Sequence, residues 1–311
     1  MSARVSVLIL SWNTRELTLC CLRALEADPG RPDWEVIVLD NGSEDGSADA
    51  IEAEFSWARV LREPENLGYA VGNNRGARQA SAEYLLLLNS DTEPAPGTIE
   101  AMCVFLDANP EYGACAPRLV HPDGRVQKSC KRWPGLAVAC VYDLFWKGWP
   151  LLSRIDDHYF YRDFDHLGER DIEQPPGACF LIRRELWERL GGMDEELWLF
   201  YNDVDLCKRL HAMGFRIRYL GGLSVVHHEG ASTARFAAMV EIWARNRMTY
   251  YRKHHGAFGH FLVRQALRVR GLQEWWEIGR RYPDPKDRRA ARLELRALLQ
   301  RALAPQPEAK A

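Results

Sequence analysis

Hydrophobic positions in the first ninety residues fall into short unbroken runs separated by stretches of helical spacing. Val5–Leu10 (VSVLIL) and Glu35–Asp40 (EVIVLD) read as strands buried on both faces, and Arg59–Arg62 and Tyr84–Leu88 continue the series. Between them, Arg15–Ala27 spaces Leu17, Cys20, Cys21, Ala24 and Leu25 as a helix does; Ser47–Phe55 and Tyr69–Gln79 read as further helices. Continuous apolar strands alternating with helices predict βαβ units and a mainly parallel sheet, an α/β fold. Ligands of such sheets sit beyond the carboxyl ends of the strands. Asp40 and Asn89 stand at that position.

Further along, Pro96–Leu106 reads as helix and Tyr112–Leu119 as strand, with a hairpin turn at Pro122-Asp123-Gly124. Residues 131–170 lose periodicity and are rich in Trp, Tyr, Phe and Asp, which predicts an irregular insertion or lid. Order returns with strand Gly177–Ile182, helix Arg184–Leu190 and helix Asp203–Met213, which Gly214 stops. Strands Arg216–Leu220 and Ser224–His227 follow. After Ala231 long helices are expected, interrupted near Tyr282-Pro283-Asp284-Pro285. The expected division is a domain over 1–230, containing the 131–170 insertion, and a mainly helical extension over 231–311.

Charge sharpens that division. The net charge of −2 conceals 17 Lys/Arg against 7 Asp/Glu from Ala231 onward, while residues 1–230 carry 24 against 36. A basic tail on an acidic body points to an anionic partner at the tail, with solvated helix faces as the plainer reading. The eight cysteines form no C-x-x-C pair, so buried reduced thiols are expected instead of a zinc site or disulfides. No signal peptide and no apolar stretch of ~20 residues is visible, which suggests a cytoplasmic chain that at most lies on a membrane. Neither G-x-G-x-x-G nor a P-loop follows a strand, which argues against a dinucleotide oxidoreductase or a P-loop enzyme.

Polar groups collect at the strand ends. Asp40-Asn41-Gly42-Ser43 leaves the second strand, where turn chemistry is the plain reading and a nucleotide base the sharper one. Ser11-Trp12-Asn13, Asn66-Leu67-Gly68 and Asn73-Asn74 would offer amides to the same crevice. Asn89-Ser90-Asp91 delivers a carboxylate suited to a hard cation such as Mg²⁺ or Mn²⁺, with diphosphate oxygens completing the shell. Asp203 can cap its helix or act as a general base, and Asp205 fits pairing with an arginine. His227 and His228 follow a strand, so alternation sends them opposite ways and only one can face a metal.

Together the segments VSVLILSWN, VLDNGSEDGS, ENLGYAVGNNRG, LLLLNSDTEP, PPGACFLIRRELWERLGGMDEELWLFYNDVDLCKRL and VVHHEGAS resemble the inverting family 2 glycosyltransferases of the GT-A fold, in particular the bacterial rhamnosyltransferase-like branch. The resemblance runs from about Val5 to Ser232. It implies a nucleotide-sugar site made by Ser11, Asn13, Asp40, Ser43, Asn66, Gly68, Asn73 and Asn89, with Asp40 reading the base. Asp91 corresponds to the metal carboxylate of the family's D-x-D motif, whose first position is Asn89 here. His227 corresponds to the metal-ligating histidine, with His228 as fallback, and Asp203 to the catalytic base; the residue before that base is Asn202, where an acid is common.

The implied activity transfers a sugar from a nucleoside diphosphate, dTDP-rhamnose or a UDP-sugar, to a glycan or lipid-linked acceptor of a cell-surface polysaccharide. The implied cofactor is Mg²⁺ or Mn²⁺, and no nucleic acid is expected as partner. Trp133, Trp146, Trp149, Tyr159 and Tyr161 are candidates for stacking on sugar or touching lipid, with aromatic packing of a lid on its own core as the alternative. Segment Phe258–Trp276 mixes apolar residues with arginine as an inner-membrane surface helix would. The rival readings are a sugar nucleotidyltransferase and a non-catalytic binding module on the same fold.

Overall fold

The computed structural model describes residues 3–142, 150–175, 177–228 and 239–304. Trp146, Trp149, the expected boundary at 230/231 and the end of the VVHHEGAS segment lie outside the described residues. Contacts divide the chain into two compact units. The first comprises Met1–Trp133, Phe164–Trp198 and Asn202–Arg235; the second comprises Pro134–Asp163, Leu199–Tyr201 and Phe236–Ala311. Most of the segment expected as an insertion of the first domain thus groups with the C-terminal helices.

The first unit is built on β1 (Val5–Ser11), β2 (Trp34–Asp40), β3 (Ala58–Arg62), β4 (Tyr84–Asn89), β5 (Thr92–Pro94), β6 (Tyr112–Val120), β7 (Arg170–Asp171), β8 (Cys179–Arg183) and β9 (Arg216–His227). Its helices are α1 (Arg15–Glu26), α2 (Ser47–Glu54), α3 (Tyr69–Ala77), α4 (Thr98–Ala108), α7 (Arg184–Leu190) and α8 (Asn202–Ala212). One sheet runs β3-β2-β1-β4-β8-β6-β9-β5, with β7 on β9. The stretch β3-β2-β1-β4 is parallel, as the apolar runs predict, and β8 joins it antiparallel. Val7, Ile9, Val38, Leu86 and Leu88 pack with Leu22 and Leu25 of α1 and Met102 and Leu106 of α4. Leu8, Ile37, Leu39 and Leu87 on the other face are buried as well, which explains the unbroken apolar runs.

The chain leaves β1 for β2 and β3 on one side, then returns to place β4 on the other side of β1. That reversal makes the carboxyl ends of β1 and β4 the topological switch point, the usual ligand crevice of such sheets. Strands 216–220 and 224–227, expected separately, are one strand. β9 keeps pairing with β6 through a shift of register between Pro117 and Arg118, where Leu220 gives way to Ser224. All eight cysteines are free thiols, six of them buried. Burial pushes the Cys21, Cys103 and Cys130 thiols up to about 12, which keeps them neutral and unreactive.

The second unit contains α5 (Leu136–Val141), α6 (Pro150–Tyr159), α9 (Met239–Arg281) and α10 (Pro285–Ala302). The segment expected as an irregular insertion instead holds two helices, and α5 is ordered by partners distant in sequence. Arg247 of α9 is 1% exposed, donates to the Ala139 carbonyl at 2.8 Å and lies 5.0 Å from the Trp243 ring. Tyr251 donates to the Gly135 carbonyl at 3.1 Å. α9 breaks at Gly256, whose φ of 64° and ψ of −164° are not helical. α10 starts where Asp284 caps the N–H groups of Lys286 and Asp287, with Pro285 in its first turn. No described helix is long and apolar enough to cross a membrane.

Candidate active site

The whole candidate site lies in the first unit. Register places Ser11 beside Asp40, and Asp40 beside Arg62, at the carboxyl ends of β1, β2 and β3. Side-chain amides lace the loops beyond them. The Asn13 N–H donates to Ser43 Oγ at 2.9 Å, and Asn13 Oδ1 accepts from the Glu44 N–H at 2.8 Å. Asn41 Nδ2 donates to Asn66 Oδ1 at 2.9 Å, while Asn66 Oδ1 also accepts from the Gly68 N–H at 2.9 Å. Gly68 has φ of 83°, and a Cβ there would stand 2.5 Å from the Trp198 indole, so only glycine fits.

Asp40 is 5% exposed, and its Oδ1 is buried with no hydrogen-bond partner. Burial pushes its carboxyl above the ordinary range, opposed by hydrogen bonds from Ser43. A buried acceptor without a partner calls for a donor. Two expected members turn inward instead. Ser11, fully buried, spends its hydroxyl on Thr14 and Thr18 at 3.3 and 2.9 Å, and Asn73 donates to the Tyr69 carbonyl at 2.9 Å. Thr14 in turn meets the Ser90 hydroxyl at 3.0 Å, tying the first loop to the Asn89-Ser90-Asp91 turn.

After β4 the chain turns tightly, with the Thr92 hydroxyl donating to the Asn89 carbonyl at 2.7 Å. β5 then pairs antiparallel with the end of β9, Thr92 opposite His227. This pairing joins residues 136 positions apart: His227 Nε2 lies 3.5 Å from Asp91 Oδ1. His228 points the other way, to Glu93 at 2.7 Å, so alternation separates the two histidines as expected. The tautomer of His227 follows from its other nitrogen. Nδ1 lies 2.9 Å from Gln127 Oε1, an acceptor only, so Nδ1 carries the proton and Nε2 presents its lone pair towards Asp91. Gln127, 6% exposed, also donates to the His227 carbonyl at 2.8 Å.

No group of three or more His, Cys, Asp or Glu side chains among the described residues forms a metal cage. Asp91 and His227 supply one hard oxygen and one imidazole nitrogen. That donor set fits a divalent ion when diphosphate oxygens and water complete the shell.

Asp203 lies in the first turn of α8. Gln174 donates to its Oδ2 at 3.0 Å and the Val204 N–H to its Oδ1 at 2.8 Å. A Cβ on Gly177 would touch Asp203 at 3.5 Å, and the Asn89 N–H donates to the carbonyl of the next residue, Ala178, at 2.9 Å. Asp203 is therefore one short segment away from the Asn89-Ser90-Asp91 turn. Tyr69 spans this interval: it donates to the Gly177 carbonyl at 2.9 Å, and burial, then the charges of Asp203 and Asp91, raise its phenol pKa. Asp205 is fully buried and paired with Arg209 at 2.7 Å, the structural role its position suggested.

The profile of the family described as Glycosyl transferase family 2 matches residues 6–191. The chain belongs to this family. An N-acetylglucosaminyl-diphospho-decaprenol L-rhamnosyltransferase of Mycobacterium tuberculosis is 30% identical over 228 residues, covering 69% of this chain and 73% of the relative. The O-antigen biosynthesis protein RfbC of Myxococcus xanthus is 30% identical over 246 residues, 74% of this chain but 18% of RfbC. Among solved structures, the mannosyltransferase PcManGT from Pyrobaculum calidifontis, in complex with GDP-Man and Mn²⁺, superposes with a TM-score of 0.55 at 19% identity, covering 97% of this chain and 86% of that one. S. aureus TarS 1–349 with UDP-GlcNAc gives 0.53 at 16% identity, over 85% and 71%. The protein is a family 2 glycosyltransferase of GT-A fold, which leaves no room for the nucleotidyltransferase reading.

Gln127, Gln174, Tyr69 and Asn41 escaped the sequence. A lone glutamine carries no motif, and Tyr69 carries only the signal of a helix start. Asn41 alone had a signal, since it sits in the strand-end turn beside Asp40.

Proposed function

We propose that this glycosyltransferase is a metal-dependent inverting enzyme taking dTDP-rhamnose or a UDP-sugar as donor. The proposed acceptor is a hydroxyl of a glycan or lipid-linked intermediate in cell-surface polysaccharide synthesis, reached from the cytoplasmic side of the membrane. Residues 1–230 would carry the catalysis and 231–311 an appendage that touches the membrane. The mycobacterial relative, named for L-rhamnose transfer to a diphospho-decaprenol acceptor, supports the donor and acceptor classes. The structural neighbour with bound Mn²⁺ supports the metal. The observation that carries the reading is the facing pair Asp91 and His227 with Asp203 close by on the same strand-end face.

In this reading Asp40 accepts from the base, while Asn13, Ser43, Asn66, Gly68 and Asn89 shape the nucleotide site and Ser11 and Asn73 support it from beneath. Asp91 and His227 would hold the divalent ion, which when bound would neutralise charge on the departing diphosphate. Asp203, steadied by Gln174, takes the proton of the acceptor hydroxyl as its oxygen bonds to the anomeric carbon. The carbon–oxygen bond to the diphosphate breaks on the opposite face, and its electron pair leaves with the nucleotide.

Thermal-shift measurements against UDP-, dTDP- and GDP-sugars, each with and without Mn²⁺, test the donor half. A ligand at ~100 times its dissociation constant adds ~2.7 kcal/mol of stability, readily detected. A Mn²⁺-dependent shift with UDP- or dTDP-sugars, lost in Asp91→Ala, is expected. No shift with any donor, or a shift indifferent to Mn²⁺ and to Asp91→Ala, would overturn it.

A further inference from the structure

A groove of about 1110 Å³ runs between the second half of α9 and α10, entirely within the second unit. Its apolar part comes from Leu272, Trp275, Leu293, Leu295, Leu299 and Leu303. The helices touch closely at one end, where a Cβ on Gly271 would stand 2.4 Å from Leu299. Six arginines line the same groove: Arg264, Arg268, Arg288, Arg289, Arg292 and Arg296. No acidic side chain lines it. Arginines of the first unit such as Arg4, Arg62, Arg209 and Arg218 have carboxylate partners, whereas no ion pair joins any of these six to an acid among the described residues. Arg292 instead stacks on Trp275, 3.7 Å from the ring centre.

Beside the groove, Phe258, Phe261, Val269, Leu272 and Trp276 recur at helical spacing on α9, and each is 40–70% exposed. Exposed apolar residues gathered on one helix face, interrupted only at Gln265, mark an interaction surface. Six guanidinium groups without counter-ions around an apolar floor match an amphiphile with an anionic head and a hydrocarbon chain. A nucleic acid satisfies the charge but leaves the leucines unpaired, and an apolar helix satisfies the leucines but leaves the arginines so.

We propose that the α9–α10 hairpin docks on an anionic lipid bilayer, with a phospholipid chain in the groove and its phosphate among the arginines. This deepens the membrane contact in the proposed function and rests on that reading for its biological setting, but not for its physics. An arginine near an anionic surface contributes about a fivefold gain in binding.

The full chain is tested by flotation with phosphatidylglycerol vesicles, phosphatidylcholine vesicles and no vesicles, at low and high salt. Expected are flotation with phosphatidylglycerol at low salt, its loss at high salt, and none with phosphatidylcholine. Arg289→Glu/Arg296→Glu should weaken it at least ~25-fold, since two attractive charges are removed. Leu272→Ser/Trp276→Ser, at exposed positions, should weaken it at low salt with the arginines intact. Equal flotation with both lipids, flotation unaffected by either variant, or tighter binding to a single-stranded oligonucleotide than to phosphatidylglycerol would overturn the proposal. Thermal stabilisation by nucleotide-sugar and Mn²⁺ is measured on the same variants. Its persistence with loss of flotation separates a lipid surface from the donor site, and its absence in wild type as well would point to failure of the donor reading alone.

Discussion

Gln127→Leu should uncouple metal binding from the rest of the fold. Gln127 holds His227 twice, accepting from Nδ1–H at 2.9 Å and donating to the backbone carbonyl at 2.8 Å. Leucine fills similar volume but makes neither bond, and the His227 carbonyl loses this donor. Leaving a buried polar group unpaired costs ~1–3 kcal/mol. At ~2–4 °C per kcal/mol, the melting temperature should fall by roughly 4–8 °C for a 2 kcal/mol loss. The larger effect is on the tautomer: with Nδ1 unpaired, the imidazole no longer keeps Nε2 as the lone-pair nitrogen facing Asp91. Loss of such a supporting hydrogen bond typically lowers metal affinity ~10–100-fold. Calorimetric titration of Mn²⁺ with saturating nucleotide reads this directly. Gln127→Glu keeps an acceptor for Nδ1–H and should hold Mn²⁺ affinity near wild type while still losing the donation to the carbonyl. Wild-type Mn²⁺ affinity in Gln127→Leu, or equal losses in both variants, would refute the reasoning.

Asp40→Asn should act on stability and binding in opposite directions. Because burial raises the Asp40 pKa above its unfolded value of ~3.9, its contribution to stability is present below that value and lost as pH rises through the raised pKa. The amide removes that loss, so melting temperature at pH 7 should rise relative to wild type while nucleotide affinity falls; an unchanged gap between the two proteins from pH 4 to 8 would count against it. Gly68→Ala forces alanine to φ of 83° against the Trp198 ring. It should cost at least ~1–2 kcal/mol from backbone strain alone, read as a lower denaturant midpoint with unchanged slope, and an unchanged midpoint would contradict the close approach.

The parallel half of the sheet was legible because its strands are covered on both faces and so read as solid apolar runs. β5 and β7 were not, since three and two residues carry no periodicity and exist only through pairing with β9. The helix at Leu136–Val141 is not legible because Arg247 and Tyr251, more than a hundred residues on, supply the partners at Ala139 and Gly135 that order it. At the site, strand ends announced Asp40 and Asn89, and residue chemistry put Asp91 and one of the two histidines at a metal, but the choice of His227 came only from the family resemblance. Local sequence holds no trace of a contact made by β5 and β9. Gln127 and Gln174 illustrate the remaining gap: each positions a candidate functional side chain, and neither differs in sequence from a surface glutamine.

The most direct test follows release of nucleoside diphosphate from the donor identified by thermal shift, with lipid extract as acceptor source, in wild type and Asp203→Asn. Donor affinity is measured on both. Wild type should turn over, and Asp203→Asn should lose ~10²–10⁴-fold in rate with donor affinity unchanged, as removal of a positioned base requires. Retained turnover in Asp203→Asn, or loss of donor binding in step with rate, would contradict the assignment of Asp203 as the base.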